Sequence, residues 1–415
     1  LGMILLKEYE VIIIGGGPAG MAAALKVNNE GCKALIIERE ERLGGILKQC
    51  IHDGFGVLKF NERLTGPEYA LKYKNIIKNK DIDILLKTFV IEIKKDKDFH
   101  IKIINENGIH ILKTKTVIFS TGCRERTSKQ IFIQGERPAG IYNAGTAQYM
   151  TNIMGFMPGK NCIILGSGDI GLIMARRLTL EGAKVLGVYE IKDTPSGLTR
   201  NIRQCLYDYD IPLYLSHSIT KIFGKERIEA VEISKVNKNY ELIENSKKII
   251  KCDTLILSVG LIPENELLED LGITIDKKTN GAFVDNDFMS VEIPGIFICG
   301  NALHVNDLVD YVSESGEIAG KKACEYIKNK KTNNKNTKVD INENFLYIVP
   351  QYINENSNDE IIFYFRSKKR FENAKLKIFL DDKIVEKNYN KLIPAEMEKL
   401  TIKNIKNKKI SMILE

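Results

Sequence analysis

The feature that most limits what this chain can fold into is a glycine pattern that occurs twice. Gly15, Gly17 and Gly20 occupy the three glycine positions of GxGxxG within Gly15-Gly16-Gly17-Pro18-Ala19-Gly20. Gly166, Gly168 and Gly171 do the same within Gly166-Ser167-Gly168-Asp169-Ile170-Gly171. Each copy follows a short apolar run (9–14 and 162–165) that reads as a buried strand. Each precedes a segment with apolar residues at helical spacing (18–27 and 170–180), and a second apolar run closes the unit (33–37 and 184–189). In such a unit the first glycine makes the tight turn, the second admits a pyrophosphate to the backbone, and the third lets helix and strand pack closely. The helix N-terminus then offers amides and partial positive charge to phosphates. An acid ends each second strand: Glu38, 23 residues after Gly15, and Glu190, 24 residues after Gly166. A carboxylate there accepts hydrogen bonds from a ribose. Glu190 suits a free 2′-hydroxyl and repels a 2′-phosphate, so NADH is expected over NADPH, with Lys192 close enough to soften the preference. Two such sites in one chain suggest one flavin and one nicotinamide.

Between the two units, residues 82–118 alternate apolar and polar, as an antiparallel crossover does. Further buried strands are expected at 116–119, before Ser120-Thr121-Gly122, at 254–257, before Ser258-Val259-Gly260, and at 296–299, before Gly300-Asn301. A long helical pattern covers about 308–327, with Asp307 at a position suited to cap it. His304 and Asp307 also admit reading as an acid–base couple, with the cap favoured. The stretch 331–344 is rich in Lys and Asn and reads as a linker. Beyond it, apolar runs at 345–349, 361–365, 376–379 and 410–414 read as strands. The expected fold is α/β: two Rossmann-like three-layer dinucleotide-binding domains, for FAD and NAD, and a small C-terminal β-sandwich-like domain. The expected boundaries are 1–122 with 253–330 for a discontinuous FAD domain, 123–252 for the NAD domain, and 345–415 for the β-rich domain.

The formal charge is +7, from 61 basic and 54 acidic residues. Residues 366–415 hold 14 Lys and Arg against 7 Asp and Glu, so this segment alone accounts for +7. Its basic residues are interleaved with strand-like apolar ones, which favours a solvated face or a protein partner over nucleic acid. The longest nearly uncharged run, 11–25, is about 15 residues with four glycines, short of the roughly 20 apolar residues of a spanning helix. No basic, apolar and cleavable N-terminal pattern is present, and a cytoplasmic location is expected. The eight cysteines are never closer than 18 positions, which argues against zinc ribbons, iron–sulfur loops and adjacent dithiols, and no metal site is expected.

The ordered set GGGPAG with Glu38, STG at 120–122, GSGDIG with Glu190, SVG at 258–260 and IPGIFICGN at 293–301 resembles the FAD-dependent pyridine nucleotide–disulfide oxidoreductase superfamily. The resemblance covers residues 9–327. The segments ERLGGILKQCIHDGFG (41–56), TGCRERT (121–127), RPAGIYNAGTAQ (137–148) and LSVGLIPENEL (257–267) are similar to narrower groups. These are the flavoprotein encoded beside glycerol-3-phosphate dehydrogenase-like proteins in anaerobic bacteria, and the nucleotide-binding subunits of opine, proline and cyanide-forming dehydrogenases. The resemblance implies FAD contacts from Gly15, Gly17, Pro18, Ala19, Gly20, Glu38, Arg39, Gly45, Val90, Thr121, Gly122, Gly300, Asn301, Tyr311 and Val312. It implies NAD contacts from Gly166, Gly168, Asp169, Ile170, Gly171, Glu190 and Gly260. Asn301 stands where the superfamily has an Asp, and the helix after it would aim its N-terminal amides at the flavin O2. The paired cysteines of disulfide reductases are missing: Gly44-Gly45 is followed by Cys50 alone. Lys48, Cys50 and His52 are candidates for the flavin face, with Cys50, like Cys123, more readily a packing residue. The expected reaction is hydride transfer from NADH to FAD, with the two rings stacked between the domains, then electron transfer to oxygen, a quinone or dye, or a partner-subunit flavin. Alternatives are a nucleotide-binding subunit whose substrate is oxidised on another chain, and a flavin-bearing assembly protein. A dehydrogenase-like partner subunit, or a second copy, is expected to bind through the C-terminal domain.

Overall fold

A computed structural model describes residues 7–329, 335–355, 360–380, 383–403 and 409–415. Its compact units are Leu1–Cys123 with Pro263–Glu415, and Arg124–Ile262. The second unit thus extends to Ile262, beyond the boundary at 252 that motif spacing suggests. The β-rich C-terminal residues cluster with the first unit.

The chain opens with β1 (Lys7–Ile14), α1 (Pro18–Asn29) and β2 (Ala34–Ile37). Next come α2 (Gly66–Ile77), β3 (Ile82–Leu85), β4 (Phe89–Lys95), β5 (Phe99–Asn105) and β6 (Gly108–Phe119). Apolar periodicity does not single out α2, but its capping box does. The Thr65 side chain accepts from the Glu68 amide at 3.4 Å, and Glu68 accepts from the Thr65 amide at 2.7 Å.

In the second unit the elements are β7 (Ile141–Asn143), α3 (Ala144–Asn152), β8 (Asn161–Leu165), α4 (Asp169–Leu180), β9 (Lys184–Glu190) and β10 (Leu213–Leu215). An antiparallel ladder of β11 (His217–Phe223), β12 (Ala230–Lys235) and β13 (Lys248–Lys251) precedes β14 (Thr254–Leu257). The parallel sheet of this unit has the order β7-β14-β8-β9-β10.

Back in the first unit are β15 (Ile296–Ile298) and α5 (Val309–Asn329). Its sheet runs β3-β2-β1-β6 in parallel, with β15 parallel to the end of β6, and β5 and β4 continue antiparallel from the start of β6. Ile12 pairs with Leu35 on one side and Val117 on the other, and all three are buried. Strands covered on both faces carry continuous apolar sequence, which is why β1 and β2 do not alternate.

One face of that sheet is covered by α1 and α5, which share a core with Ile13, Ile36 and Ile118. Small residues set how closely the two helices approach. A Cβ on Gly316 would lie 2.2 Å from the Ala19 carbonyl oxygen, and one on Gly320 would lie 2.6 Å from that of Ala23.

The C-terminal strands are β16 (Phe345–Val349), β17 (Ile361–Ser367), β18 (Phe371–Leu380), β19 (Lys383–Leu392), β20 (Glu398–Ile402) and β21 (Ile410–Leu414). One sheet orders β16-β17-β20, and the other orders the short strand Asp340–Ile341, β21, β18 and β19. Phe363, Phe365 and Leu400 from the first meet Leu376, Ile378 and Met412 from the second, so the domain is a β-sandwich. The expected linker is thereby corrected. Asn336–Lys338 and Asp340–Ile341 pair as strands despite their polar sequence, while 331–334 lie outside the described residues. So do 404–408 of the basic C-terminal segment.

The α1–α5 contact makes a testable demand. Gly320→Val forces a side chain against backbone, and overpacking of this kind costs about 1–3 kcal/mol. The midpoint of thermal unfolding, followed by circular dichroism, is expected to fall by several degrees, whereas the neighbouring surface change Lys321→Ala leaves it within a degree or so.

Candidate functional site

In the first unit the turn Gly15–Gly17 is shaped by what it must avoid. Gly15 has φ of 105°, and a Cβ there would lie 2.3 Å from the Ser120 carbonyl oxygen. A Cβ on Gly20 would lie 1.9 Å from the Gly15 oxygen, so only glycine lets α1 start against β1. At Gly17 a Cβ would meet nothing nearer than the Gly45 Cα at 4.0 Å. Gly17 is also the N-cap of α1, and no side chain caps it. The combination is an open cradle of backbone amides at a positive helix end, which fits a pyrophosphate.

Glu38 is buried, and its carboxylate is oriented by the chain itself: Gly16 N donates to Oε2 at 2.7 Å and Glu40 N to Oε1 at 2.8 Å. Each oxygen keeps acceptor capacity for a ribose hydroxyl. Val90, half-buried, packs against the apolar core beside Leu85, and the Thr88 amide donates to the Glu38 carbonyl at 3.0 Å. Arg39 forms an ion pair with Glu264 at 2.9 Å. Thr121 Oγ1 donates to the Glu264 carbonyl at 2.7 Å, and Glu264 N donates to Gly122 O at 3.0 Å. Pro18 opens α1, and Ala19 faces Gly300 and Gly316. Gly300 N donates to Ser315 Oγ at 2.8 Å, which ties the β15 loop to α5 next to Val312. Of the expected FAD residues, Gly15, Glu38, Thr121, Gly122 and Gly300 lie just beyond the ends of β1, β2, β6 and β15.

The second unit repeats the device. A Cβ on Gly166, φ 96°, would lie 2.0 Å from the Ser258 oxygen, and one on Gly171 would lie 2.7 Å from the Gly166 oxygen. Gly168 is the N-cap of α4, again without a side-chain cap, and the next side chain after it that packs inward is Ile170. Glu190 Oε2 accepts from Ser167 N at 3.0 Å and from Ser167 Oγ at 2.6 Å, and Oε1 accepts from Lys192 N at 3.1 Å. The two acids are therefore held by matching pairs of amides, one from the glycine turn and one from two residues downstream. Asp169 Oδ1 accepts from Leu198 N at 2.8 Å and Asn201 Nδ2 at 2.7 Å, which directs that carboxylate to the 198–201 turn. Gly260 O accepts from Arg126 N at 3.1 Å, placing Arg126 beside this loop. Ser167 and Arg126 are not legible in the glycine spacing, because neither has a role that the spacing specifies.

The side chains correct one expectation and show the partners of several other candidates. Asp307 neither caps α5 nor pairs with His304: Arg366 binds its Oδ1, and Met397 N donates to its Oδ2 at 2.6 Å. Asn301 Oδ1 accepts from Asn306 N at 3.0 Å and its Nδ2 reaches Cys123 Sγ at 3.5 Å, so its carboxamide organises the loop. The Tyr311 ring lies against Tyr364, centroids 5.7 Å apart. The amides of Tyr311 and Val312 donate to Leu308 O at 3.2 and 3.4 Å, which leaves the amides before them at the helix end. Lys48 pairs with Glu40 and also donates to the Arg42 carbonyl at 3.2 Å. The His52 ring lies 4.9 Å from that of Phe55. Cys50 Sγ reaches the Ile46 carbonyl at 3.4 Å, and burial pushes its thiol up to about 12, the opposite of an activated thiolate. No disulfide joins any of the eight cysteines.

The family model of the pyridine nucleotide-disulphide oxidoreductases matches residues 9–323. The chain belongs to this family. Members are FAD-dependent and use NAD(P)H. The NADH dehydrogenase of Bacillus subtilis is 27% identical over 306 residues, which are 71% of this chain and 54% of that protein. The dihydrolipoyl dehydrogenase of Acholeplasma laidlawii is 28% identical over 71% of this chain and 90% of its own length. The bacillithiol disulfide reductase of Bacillus cereus has a similar fold, with a TM-score of 0.64 at 19% identity over 78% of this chain and 100% of that one. The chain spans about half the length of several curated relatives that it matches. The oxidoreductase family match ends at 323, before the C-terminal sandwich. No helix among the described residues is long and apolar enough to cross a membrane.

His304 supplies a pH test. It is 1% exposed, and its rings of contact are Tyr347 and Tyr364. Burial, with the Arg366 guanidinium second, pushes its imidazole from 6.5 down to about 3. The unfolded chain takes up a proton there that the folded chain excludes, so stability is expected to fall as pH drops from 6.5 toward 3. The slope contributed by one such group is up to about 1.4 kcal/mol per pH unit. Urea unfolding at stepped pH is expected to show this acid slope in the parent chain and a shallower one in His304→Phe.

Proposed function

We propose that this chain is a flavoprotein oxidoreductase that takes hydride from NADH onto FAD and passes electrons to an external acceptor without a redox-active dithiol. The carrying observation is the duplicated cradle: two uncapped helix ends, each beside a buried acid held by its own turn. In this reading FAD occupies the first unit and the nicotinamide nucleotide the second. Bound FAD supplies hydride acceptance and onward electron transfer, the chemistry that no side chain provides. The protein's part is to bind and orient. The amides after Gly17 and Gly168 hold pyrophosphates, while Glu38 and Glu190 accept from ribose hydroxyls. Glu190 is buried, and its charge disfavours a 2′-phosphate, which supports NADH over NADPH. The Bacillus subtilis relative is an NADH dehydrogenase, in keeping with that preference. A Cys50 thiol raised to about 12 supports an acceptor outside this chain: oxygen, a quinone or dye, or a partner's flavin.

The decisive experiment is an anaerobic visible spectrum of the FAD-loaded protein during stepwise addition of NADH. Stoichiometric bleaching of the flavin bands is expected, with NADPH much slower at equal concentration. Glu190→Gln keeps an acceptor for Ser167 but removes the charge, and is expected to narrow the NADH-to-NADPH ratio about tenfold, roughly 1.4 kcal/mol. Flavin bands that neither nucleotide bleaches overturn the reading.

A second reading is favoured by the sandwich that lies outside the family match. In it the chain is the nucleotide-binding subunit of a glycerol-3-phosphate or amino-acid dehydrogenase, and resembles the flavoprotein encoded beside glycerol-3-phosphate dehydrogenase-like proteins. The substrate is then oxidised on another chain. Strand β19 is a sheet edge with Ile384, Lys387 and Lys391 exposed, a surface on which an acidic partner or a second copy can pair. A light-scattering mass above that of the monomer, lost in Lys387→Glu with Lys391→Glu, is the expected result if a second copy binds there. A monomer mass that persists in a cell extract, with no co-purifying chain, argues against both kinds of partner.

A further inference from the structure

Four acids step along the start of α5 at positions 307, 310, 314 and 317, a spacing that keeps them on neighbouring turns of one face. Three of them have cations from elsewhere in the unit: Arg366 on Asp307, Lys399 on Glu314, and Lys59 on Glu317. Two of these cations come from the C-terminal sandwich, from β17 and β20. The sandwich adds neutral donors to the same carboxylates. Tyr364 hydroxyl donates to Glu314 at 2.6 Å and Met397 N to Asp307 at 2.6 Å. Arg366 is itself fixed, with Nε donating to the Tyr347 hydroxyl at 3.0 Å and Nη1 to the Pro394 carbonyl at 3.4 Å. Lys399 Nζ also lies 5.4 Å from the centre of the Tyr311 ring. The Asp307–Arg366 pair is shielded, at 19% and 12% side-chain exposure, so solvent screens it weakly.

These contacts meet on one functional element. The stretch from Gly300 to Val312 contains four of the residues expected at the flavin, and α5 begins there, at Val309, with its positive pole. The carboxylates at its start subtract from that positive potential, and the sandwich's cations restore it. We propose that Arg366 and Lys399 are positioning residues for the flavin: acting through Asp307 and Glu314, they brace the Gly300–α5 segment and set the charge felt by the cofactor. The C-terminal sandwich is then a built-in regulator of FAD retention and reduction potential. This inference rests on FAD binding in the first unit, as proposed above.

The sign follows from charge. Reduced flavin at neutral pH is an anion, so an uncompensated carboxylate nearby disfavours reduction. In the full-length FAD-loaded protein, Arg366→Gln and Lys399→Gln are each expected to lower the midpoint potential. The readout is an anaerobic dithionite titration against a reference dye, which needs no nucleotide. A tenfold change in the reduction equilibrium, about 30 mV for two electrons, is the size expected. FAD release on dilution, followed by flavin fluorescence, is expected to quicken. Restoring neutrality with Asp307→Asn in the Arg366→Gln background is expected to return most of the potential. Lys399, at 26% exposure, tolerates substitution and keeps the test readable where Arg366→Gln unfolds the sandwich. Unshifted potentials in folded Arg366→Gln and Lys399→Gln overturn the proposal, as does a double variant no higher than the single. A parent chain that takes up no FAD overturns instead the cofactor reading on which it rests.

Discussion

The structure depends on a steric condition: a helix must begin within contact distance of the strand before it. Gly20 against the Gly15 carbonyl, and Gly171 against the Gly166 carbonyl, meet it by having no Cβ. Once α1 and α4 start so close to the sheet, no N-cap side chain covers their first amides, although Gly171 N in α4 donates to Ser258 Oγ at 3.0 Å. Such a helix end is costly to leave without an acceptor and favourable for an anion. Phosphate binding is therefore the complement of the packing rather than an addition to it.

The same economy of side chains governs the rest of the first unit. Gly316 and Gly320 let α5 lie on Ala19 and Ala23 of α1, so the helix that follows the β15 loop is locked to the helix that starts the cradle. Gly300, bonded to Ser315, joins the loop to that pair. The sandwich then attaches to the opposite side of α5 by charge and aromatic contact, through Arg366, Lys399, Tyr364 and the enclosed His304. The glycine contacts set how closely the helices of the cradle approach, and the polar contacts tie the helix start to the sandwich.

Both cradles were legible in the sequence because their function resides in backbone geometry, and glycine spacing reports backbone geometry directly. Glu38 and Glu190 were legible for the same reason, since strand ends are set by apolar runs. The helix α2 was concealed by a mixed apolar pattern, although Thr65 and Glu68 announce its start. Strands 336–338 and 340–341 were concealed by mostly polar composition: they pair at the margin of the sandwich, anchored by Val339 and Ile341 against its core. The role of Asp307 was misjudged because it is decided by Arg366 and Met397, far along the chain.

By itself the sequence determined the fold class, the two dinucleotide cradles and the absence of neighbouring cysteines, since these rest on local spacing and on residues that lack a side chain. Tertiary structure alone decided which carboxylates are held by which cations, that Cys50 is half-buried with its thiol pushed up, and that the basic C-terminal segment turns Arg366 and Lys399 inward onto α5. The physical reason is range. A turn is dictated by its own few residues, whereas an ion pair joining positions 307 and 366 exists only once segments 59 residues apart have packed together.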